Sequence, residues 1–427
     1  MIDNNEKKNG QPQPGRRRFL RQGAGLGGVA LGAGALAAGT PAAARAEVLT
    51  VPPWTRTPGE PVLWRAYGQP AEFEKNVIRR NRGPAPMPGA NSSMTPLQDL
   101  RGIITPTGLV FERHHAGIPQ IDPARHRLAV HGLVDRPRIF TMDDLVRLPS
   151  VSRIHFLECS GNTGREWRAP SATSVQISHG LLSCCEWTGV PLSVVLEEVG
   201  VRPEAAWVLA EGADAAAMTR SVPMAKAMED ALLVYAQNGE MLRPEHGYPL
   251  RLFLPGFEGN MSIKWLRRLK VGREPFMTRE ETSKYTDSLP DGSARQFTFM
   301  MDVKSVITFP APDHRLRDKG FYEISGLAWS GYGRIRRVDV SVDGGRNWRE
   351  AQLQDPVLDR ALTRFRLPWR WEGGPAVLQS RAIDEAGNVQ PLPDQLVAAR
   401  GFDSTYHYNA IQAWRISADG GIANARA

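Results

Sequence analysis

The spacing of apolar residues changes character near residue 275, and this change constrains the architecture more than any other feature of the chain. From about Arg101 to Gly272 short apolar runs alternate with helical patterns. Leu128–Val134 reads as a strand and turn. Thr141–Arg147 opens with an N-cap Thr and acids in the first turn, the signature of a helix start. Arg251–Leu254 and Ile263–Val271 read as strands. The tail has a different rhythm. Phe321–Ser330 is one long strand-like run. Arg337–Val342 alternates, turns at Asp343-Gly344-Gly345 and returns through Trp348, a hairpin signal, and Ala376–Ala382 follows. Short strands without helical stretches predict an immunoglobulin-like sandwich. The expected fold is α+β: a mixed α/β domain over 101–275, a polar linker over 276–294 and a β-sandwich over 295–427. An irregular arm rich in Pro, Arg and Asn, residues 47–100, comes before them.

Residues 1–46 read as an export leader. Arg16-Arg17-Arg18-Phe19-Leu20-Arg21 is a twin-arginine motif, a weakly apolar Gly/Ala/Leu run follows from Gly23 to Ala38, and Ala44-Arg45-Ala46 supplies a cleavage site. The run is too short and too rich in Gly to span a bilayer comfortably, so no membrane anchor is expected. Twin-arginine export carries folded proteins, which implies a periplasmic protein loaded with a complex cofactor before export. The leader holds +5 of the formal +8 charge, leaving +3 on the mature chain of about 380 residues. The high isoelectric point is therefore no argument for nucleic acid. Three cysteines exclude a disulfide scaffold, and no C-x-x-C-H run attaches a c-type haem. The adjacent Cys184 and Cys185 are expected to be buried thiols.

Cys159 is the candidate metal ligand. The apolar run Ile154–Glu158 delivers it to a tight turn, Ser160-Gly161-Asn162, and no Cys/His cluster of the structural-zinc kind lies nearby in sequence. A single soft thiolate suits a soft transition metal. Taken locally, a buried Cys packing as a small hydrophobe explains the same residues.

Motifs in order resolve that choice. Phe111-Glu112-Arg113-His114-His115 with Pro119, Leu157–Asn162 around Cys159, Asn238-Gly239, His246-Gly-Tyr-Pro-Leu-Arg251, and Ser262-Ile263-Lys264-Trp265 follow one another, then Ala328–Gly331 and Val338–Gly345. The series resembles the sulfite oxidase family of molybdenum enzymes from about Arg101 to the C-terminus. Within it, the chain is most similar to the molybdenum subunits of bacterial sulfane/sulfite dehydrogenases in thiosulfate oxidation. The resemblance implies molybdenum held by a molybdopterin, with Cys159 as the protein's ligand to the metal. Arg113, His114, His115, Asp214, His246, Arg251, Ser262, Ile263 and Lys264 are then the pterin-binding residues. A planar Arg fork and fixed cations suit the pterin's phosphate and amide edges. Arg113, Trp187, Tyr285 and Arg415 are the implied substrate-pocket residues, Arg415 with upstream spacing unlike the family's.

The sequence departs from that family at Gly164. Sulfite oxidases place an Arg there, so its loss implies weaker grip on free sulfite and more room for sulfur carried on a protein arm. The resemblance further implies a separate c-type cytochrome as electron acceptor, a sulfur-carrier protein, and a homodimer within a heterotetramer. Two alternatives stand beside it, a periplasmic molybdopterin sulfoxide reductase and a non-catalytic exported binding module.

Overall fold

The computed structural model describes residues 68–81, 83–84, 89–402 and 404–427. The chain divides into two units, Met1–Arg65 and Ala66–Ala427, and the described residues belong to the second. The leader over 1–46 and most of the arm lie outside them. Among the described residues, no helix is long and apolar enough to cross a membrane.

Two five-stranded sheets build the first half of this unit. One runs antiparallel through Leu232–Gln237, Leu182–Pro191 and Val151–Glu158, with Glu240–Met241 and Arg251–Phe253 both paired to Leu232–Gln237. The other orders Arg138–Phe140, Leu128–Gly132, Leu266–Gly272, Trp207–Gly212 and Thr219–Pro223, and its single parallel pair puts Leu269 beside Val130. The predicted helix forms at Met142–Val146. Thr141 accepts from the Asp144 N–H, while Asp144 accepts from the Thr141 N–H, a complete capping box.

The second half is a sandwich. A four-stranded sheet contains Lys304–Phe309, Gly320–Trp329 and Thr363–Trp371. A five-stranded sheet contains Ile335–Ser341, Ala376–Asp384, Ala413–Ile416 and Ile422–Ala425. Their inner faces share one core of Trp329, Val338, Val340, Phe365, Leu378 and Trp414. The hairpin read at Asp343–Gly345 joins Ile335–Ser341 to Arg349–Glu350.

Three expectations need correction. The tail does hold a helix, Pro393–Arg400, started by Pro at its first turn and by Gln395 accepting from the Leu392 N–H. The run Ile263–Val271 is strand only from Leu266, because Trp265 adopts φ 52°, which no strand residue does. The stretch 276–294 is no passive linker. Arg279–Thr282 is helical, and its buried Glu281 accepts from the Ser221 hydroxyl at 2.9 Å and pairs with buried Arg220. The end of the arm is also built in: Ser92–Met94 pairs with Glu112–Arg113, and Leu97 is fully buried.

One core crosses both halves. Phe156, Leu182 and Cys184 join the sandwich residues Trp329 and Phe365 in a single cluster, whereas Leu157, Cys185 and Trp187 cluster on the other side with Phe253. Neighbours on a strand point to opposite faces. That geometry separates Cys184 from Cys185, and both are free buried thiols. Burial pushes the Cys185 thiol up to about 12.

Candidate molybdopterin site

Cys159 ends the strand Val151–Glu158 and stands half-buried at the wall of a cleft of about 760 Å³, counted with the space open to solvent. The turn after it is held from both sides. The Cys159 N–H donates to the Leu181 carbonyl, and Asn162 N–H to the Cys159 carbonyl. Asn162 also donates to Glu158 at 2.9 Å and accepts from the Leu181 N–H at 3.1 Å. Glu158 is fully buried, paired with Lys304 Nζ at 2.9 Å and accepting from Trp329 Nε1 at 2.6 Å. Both partners come from the sandwich, so the second domain anchors the strand that leads into Cys159. Gly259 closes the approach: a Cβ there would lie 2.7 Å from the Glu158 carbonyl oxygen.

Cations line one end of the cleft. The planar fork of buried Arg251 donates to the carbonyls of His246 and Ser262, at 3.0 and 3.1 Å. Lys264 Nζ donates to the carbonyls of Arg113 and Glu245, both at 3.1 Å, and to His114 Nδ1 at 2.8 Å. With Nδ1 accepting, His114 Nε2–H faces Glu112 at 2.9 Å. Burial would raise the Glu112 carboxyl, but the bond to His114 and the charge of Arg79 hold it at about 2. Burial, then the charge of Arg251, pulls Lys264 well below its usual range. Burial alone brings Arg251 down to about 10. His115 falls to about 4 through burial and the charges of Arg113 and Lys264. Asp214 and Ile263 line the same cleft, and the Ser262 hydroxyl accepts from the Leu254 N–H.

The residues present fit an anionic, hydrogen-bonding group. His246 Nδ1 and Arg251 Nε are buried donors or acceptors with no hydrogen-bond partner. Unmet polar atoms of this kind are costly unless something fills them. The charge of Arg251 also depresses that of Lys264, a repulsion which a phosphate-bearing cofactor relieves. Arg251, His246 and Lys264 would hold that cofactor's phosphate and pterin edges, and Cys159 its metal. Among the described residues, no group of three or more His, Cys, Asp or Glu gathers as a metal cage.

The other end of the cleft carries Arg113, His115, Tyr285 and Asn260. Tyr285 Oη lies 3.2 Å from His115 Nε2. Burial, and then the Cys159 charge, raises its phenol. Fully buried Arg220 braces the Tyr285 ring from 5.2 Å and bonds Asn260, which donates to the Ser160 hydroxyl at 3.1 Å.

Two sequence candidates lie elsewhere. Trp187 is fully buried behind the cleft, stacked on Phe253 at 4.6 Å with the Arg251 guanidinium 5.2 Å from its ring. It positions Arg251 and does not line the pocket. Arg415 is exposed on the strand Ala413–Ile416, which pairs with Ala376–Asp384 and Ile422–Ala425, because strand alternation turns Trp414 inward and Arg415 out. Gly164 also has a different surrounding from the one expected. It lines a neighbouring cleft with Arg165, Trp167 and Phe402, and a Cβ on it would lie 2.8 Å from the Thr405 carbonyl oxygen. Close passage of that segment accounts for the glycine. Sequence reading missed Asn260 and Arg220, since neither falls in a motif and each reaches the site only through folding.

A deep cationic cleft with one cysteine at its wall, carried on this pair of domains, points to a molybdopterin oxidoreductase. The oxidoreductase molybdopterin binding domain matches residues 115–280, and the Mo-co oxidoreductase dimerisation domain matches 295–413. Sulfite oxidase of Gallus gallus is 32% identical over 316 residues, covering 67% of this chain and 68% of the relative. Mouse mitochondrial sulfite oxidase is 32% identical over 329 residues, 70% of this chain and 60% of the relative. Nitrate reductase [NADH] of Ulva prolifera is 33% identical over 334 residues, 68% of this chain and 38% of the relative. The chain thus spans less than two thirds of the length of several of these relatives. The crystal structure of the sulfane dehydrogenase SoxCD from Paracoccus pantotrophus superposes with a TM-score of 0.87 at 48% identity, covering 89% of this chain and 98% of that one. The chain belongs to the sulfite oxidase family of molybdopterin oxidoreductases.

Proposed function

We propose that the protein is the molybdenum subunit of a periplasmic sulfur dehydrogenase, oxidising sulfane sulfur or sulfite and passing electrons to a separate c-type cytochrome. One observation carries this reading: the cleft joins Cys159 to a cationic end fitted to a cofactor and to a second end where Arg113 and Tyr285 face the same space. The binding-module alternative requires Cys159 and the basic series to be unrelated, yet both line one cleft. Likeness to the Paracoccus sulfane dehydrogenase over nearly all of that chain supports the sulfur chemistry.

When bound, molybdenum with molybdopterin supplies two-electron oxygen-atom transfer to sulfur; the protein supplies placement and charge. Arg251, Lys264 and His246 would hold the cofactor. Arg113 would present a cation to a sulfur oxyanion, offsetting the cost of bringing its charge into the cleft. Neutral His115 lies within reach of Tyr285 Oη, so a phenolic proton has an acceptor beside it. Phe111, Val110 and Met218 add apolar wall to the same cleft. Single-turnover reduction of the molybdenum-loaded protein by sulfite and by a carrier-bound persulfide tests the reading. Reduction by either, with electrons passed on to a c-type cytochrome, supports it; reduction by neither sinks it.

Export by the twin-arginine route, a sulfur carrier as substrate donor and a homodimer formed through the sandwich belong to the same proposal. Arg16→Lys with Arg17→Lys should leave the precursor in the cytoplasm. Normal periplasmic accumulation of that variant argues for the general secretory route.

A further inference from the structure

Tyr406 stands outside every motif, yet the fold brings it to the metal ligand. It belongs to the segment Ser404–Tyr408, which the second domain lays across the turn after Cys159. The His407 N–H donates to the Ser160 carbonyl at 2.9 Å, and the His407 ring pairs with buried Glu258 at 3.3 Å. Tyr408 meets Trp167 edge-on, with ring centroids 5.1 Å apart. These contacts fix the backbone after Tyr406 and leave its side chain half-buried. Its ring stands 5.3 Å from that of Tyr285. A single methyl group placed on Gly161 would touch both Cys159 Sγ, at 3.9 Å, and the Tyr406 ring, at 4.0 Å.

The phenol oxygen of Tyr406 has no hydrogen-bond partner among the described residues, whereas that of Tyr285 already faces His115. Two phenol rings therefore stand side by side near Cys159, one with its hydroxyl committed and one uncommitted. Burial raises the Tyr406 phenol, and the next largest influence on it is the charge of Cys159, followed by Glu258 and, in the opposite sense, Arg113. These are the charges that act on Tyr285 as well. Burial thus favours the protonated phenol, a hydrogen-bond donor.

We infer that Tyr406 is a specificity-determining residue of the molybdenum pocket, donating its phenolic O–H to an oxygen of a sulfur oxyanion held beside Arg113 and Tyr285. A residue kept only to cover Gly161 needs a ring and no hydroxyl. A donor supplied by the second domain also makes the pocket dependent on how that domain docks, as Lys304 does for Glu158. The inference rests on the sulfur-oxidation reading for the identity of the oxyanion.

The test is calorimetric titration of the molybdenum-loaded protein with sulfate, which needs no turnover. Tyr406→Phe should bind sulfate about tenfold more weakly, the worth of one hydrogen bond to a charged acceptor, with unchanged melting temperature and molybdenum content. Affinity within twofold of wild type overturns the inference. Arg113→Met in the same titration places the ion: it should lose most of the affinity, and full affinity there means sulfate sits elsewhere and likewise overturns the inference. Wild-type protein that binds no sulfate does the same. Protein that binds sulfate through Tyr406 but is reduced by neither sulfite nor carrier-bound persulfide would refute the proposed function and leave this contact standing.

Discussion

The two ends of the cleft are built by different means. The cofactor end draws on residues close in sequence, His246 to Lys264, with His114 stacked 5.9 Å from Trp265 and fixed by Lys264. Arg251 and His246 are buried, most of this end's bonds go to backbone carbonyls, and its surplus is positive charge. The end we assign to substrate takes Arg113 and Tyr285 from distant parts of the chain, with Tyr406 beside Tyr285, and each is half-exposed. A group that every family member must bind can be held by a rigid local frame. Substrates differ, and loops contributed by separate elements change without disturbing that frame.

The seam between the domains gives the largest expected effect. Lys304→Met leaves the Glu158 carboxylate buried without its cation, one residue from Cys159. Breaking a buried pair from one side costs roughly 3–5 kcal/mol, so denaturant unfolding should show a loss of that order. Glu158→Gln combined with Lys304→Met should recover much of it. If the single variant is as stable as wild type, the second domain does not support the ligand strand. The same pair means that a chain cut near Asp291 loses Lys304 and Trp329 from Glu158, so truncation is a poor assay of self-association.

Exchanging charges at the two ends should separate them. Arg251→Met should lower cofactor occupancy, with molybdenum per chain falling about tenfold or more, the value of a charge-assisted contact at roughly 1.5–3 kcal/mol. Arg113→Met should keep the molybdenum and lose kcat/KM for sulfur substrates by a similar factor. Elemental mass spectrometry with steady-state kinetics reads both. Equal loss of metal in the two variants would erase the distinction.

Acid should act first through histidines kept neutral. His115 is held at about 4 against an ordinary 6.5. Its contribution to stability is therefore complete above pH 6.5 and is lost as pH falls from 6.5 toward 4. Melting temperature should decline across that window, and His115→Gln should flatten part of the decline. A slope unchanged by the substitution assigns the loss to other groups. The smallest effect is expected at Gly164→Ala. Its Cβ presses on the Thr405 carbonyl in an exposed segment that can yield, so about 1 kcal/mol is expected, the low end for overpacking. A neutral or stabilising result would return Gly164 to the role of a vacated arginine position.

Sequence made the frame legible because motif spacing and strand alternation are local. The strands, the hairpin at Asp343–Gly345, the helix capped by Thr141 and the run from Cys159 to Asn162 all depend on near neighbours. The same reading put Arg415 in the pocket because a motif-like Ala-Trp-Arg run says nothing of which face a strand turns outward. It put Trp187 there as well, although a stacking partner such as Phe253 appears only after folding. Arg220, Asn260 and Tyr406 were invisible for the converse reason: their partners lie tens to hundreds of residues away. The stretch 276–294 looked like a linker because its acids are polar, and only the fold shows Glu281 buried against Arg220.

The central claim is that Cys159 ligates molybdenum in a pocket framed by Arg251, Lys264 and His246. X-ray absorption at the molybdenum edge, on wild type and on Cys159→Ser, tests it most directly. The account predicts that the variant keeps its molybdopterin, loses one sulfur scatterer from the metal and loses turnover. A variant with the wild-type sulfur shell and unimpaired turnover would contradict it.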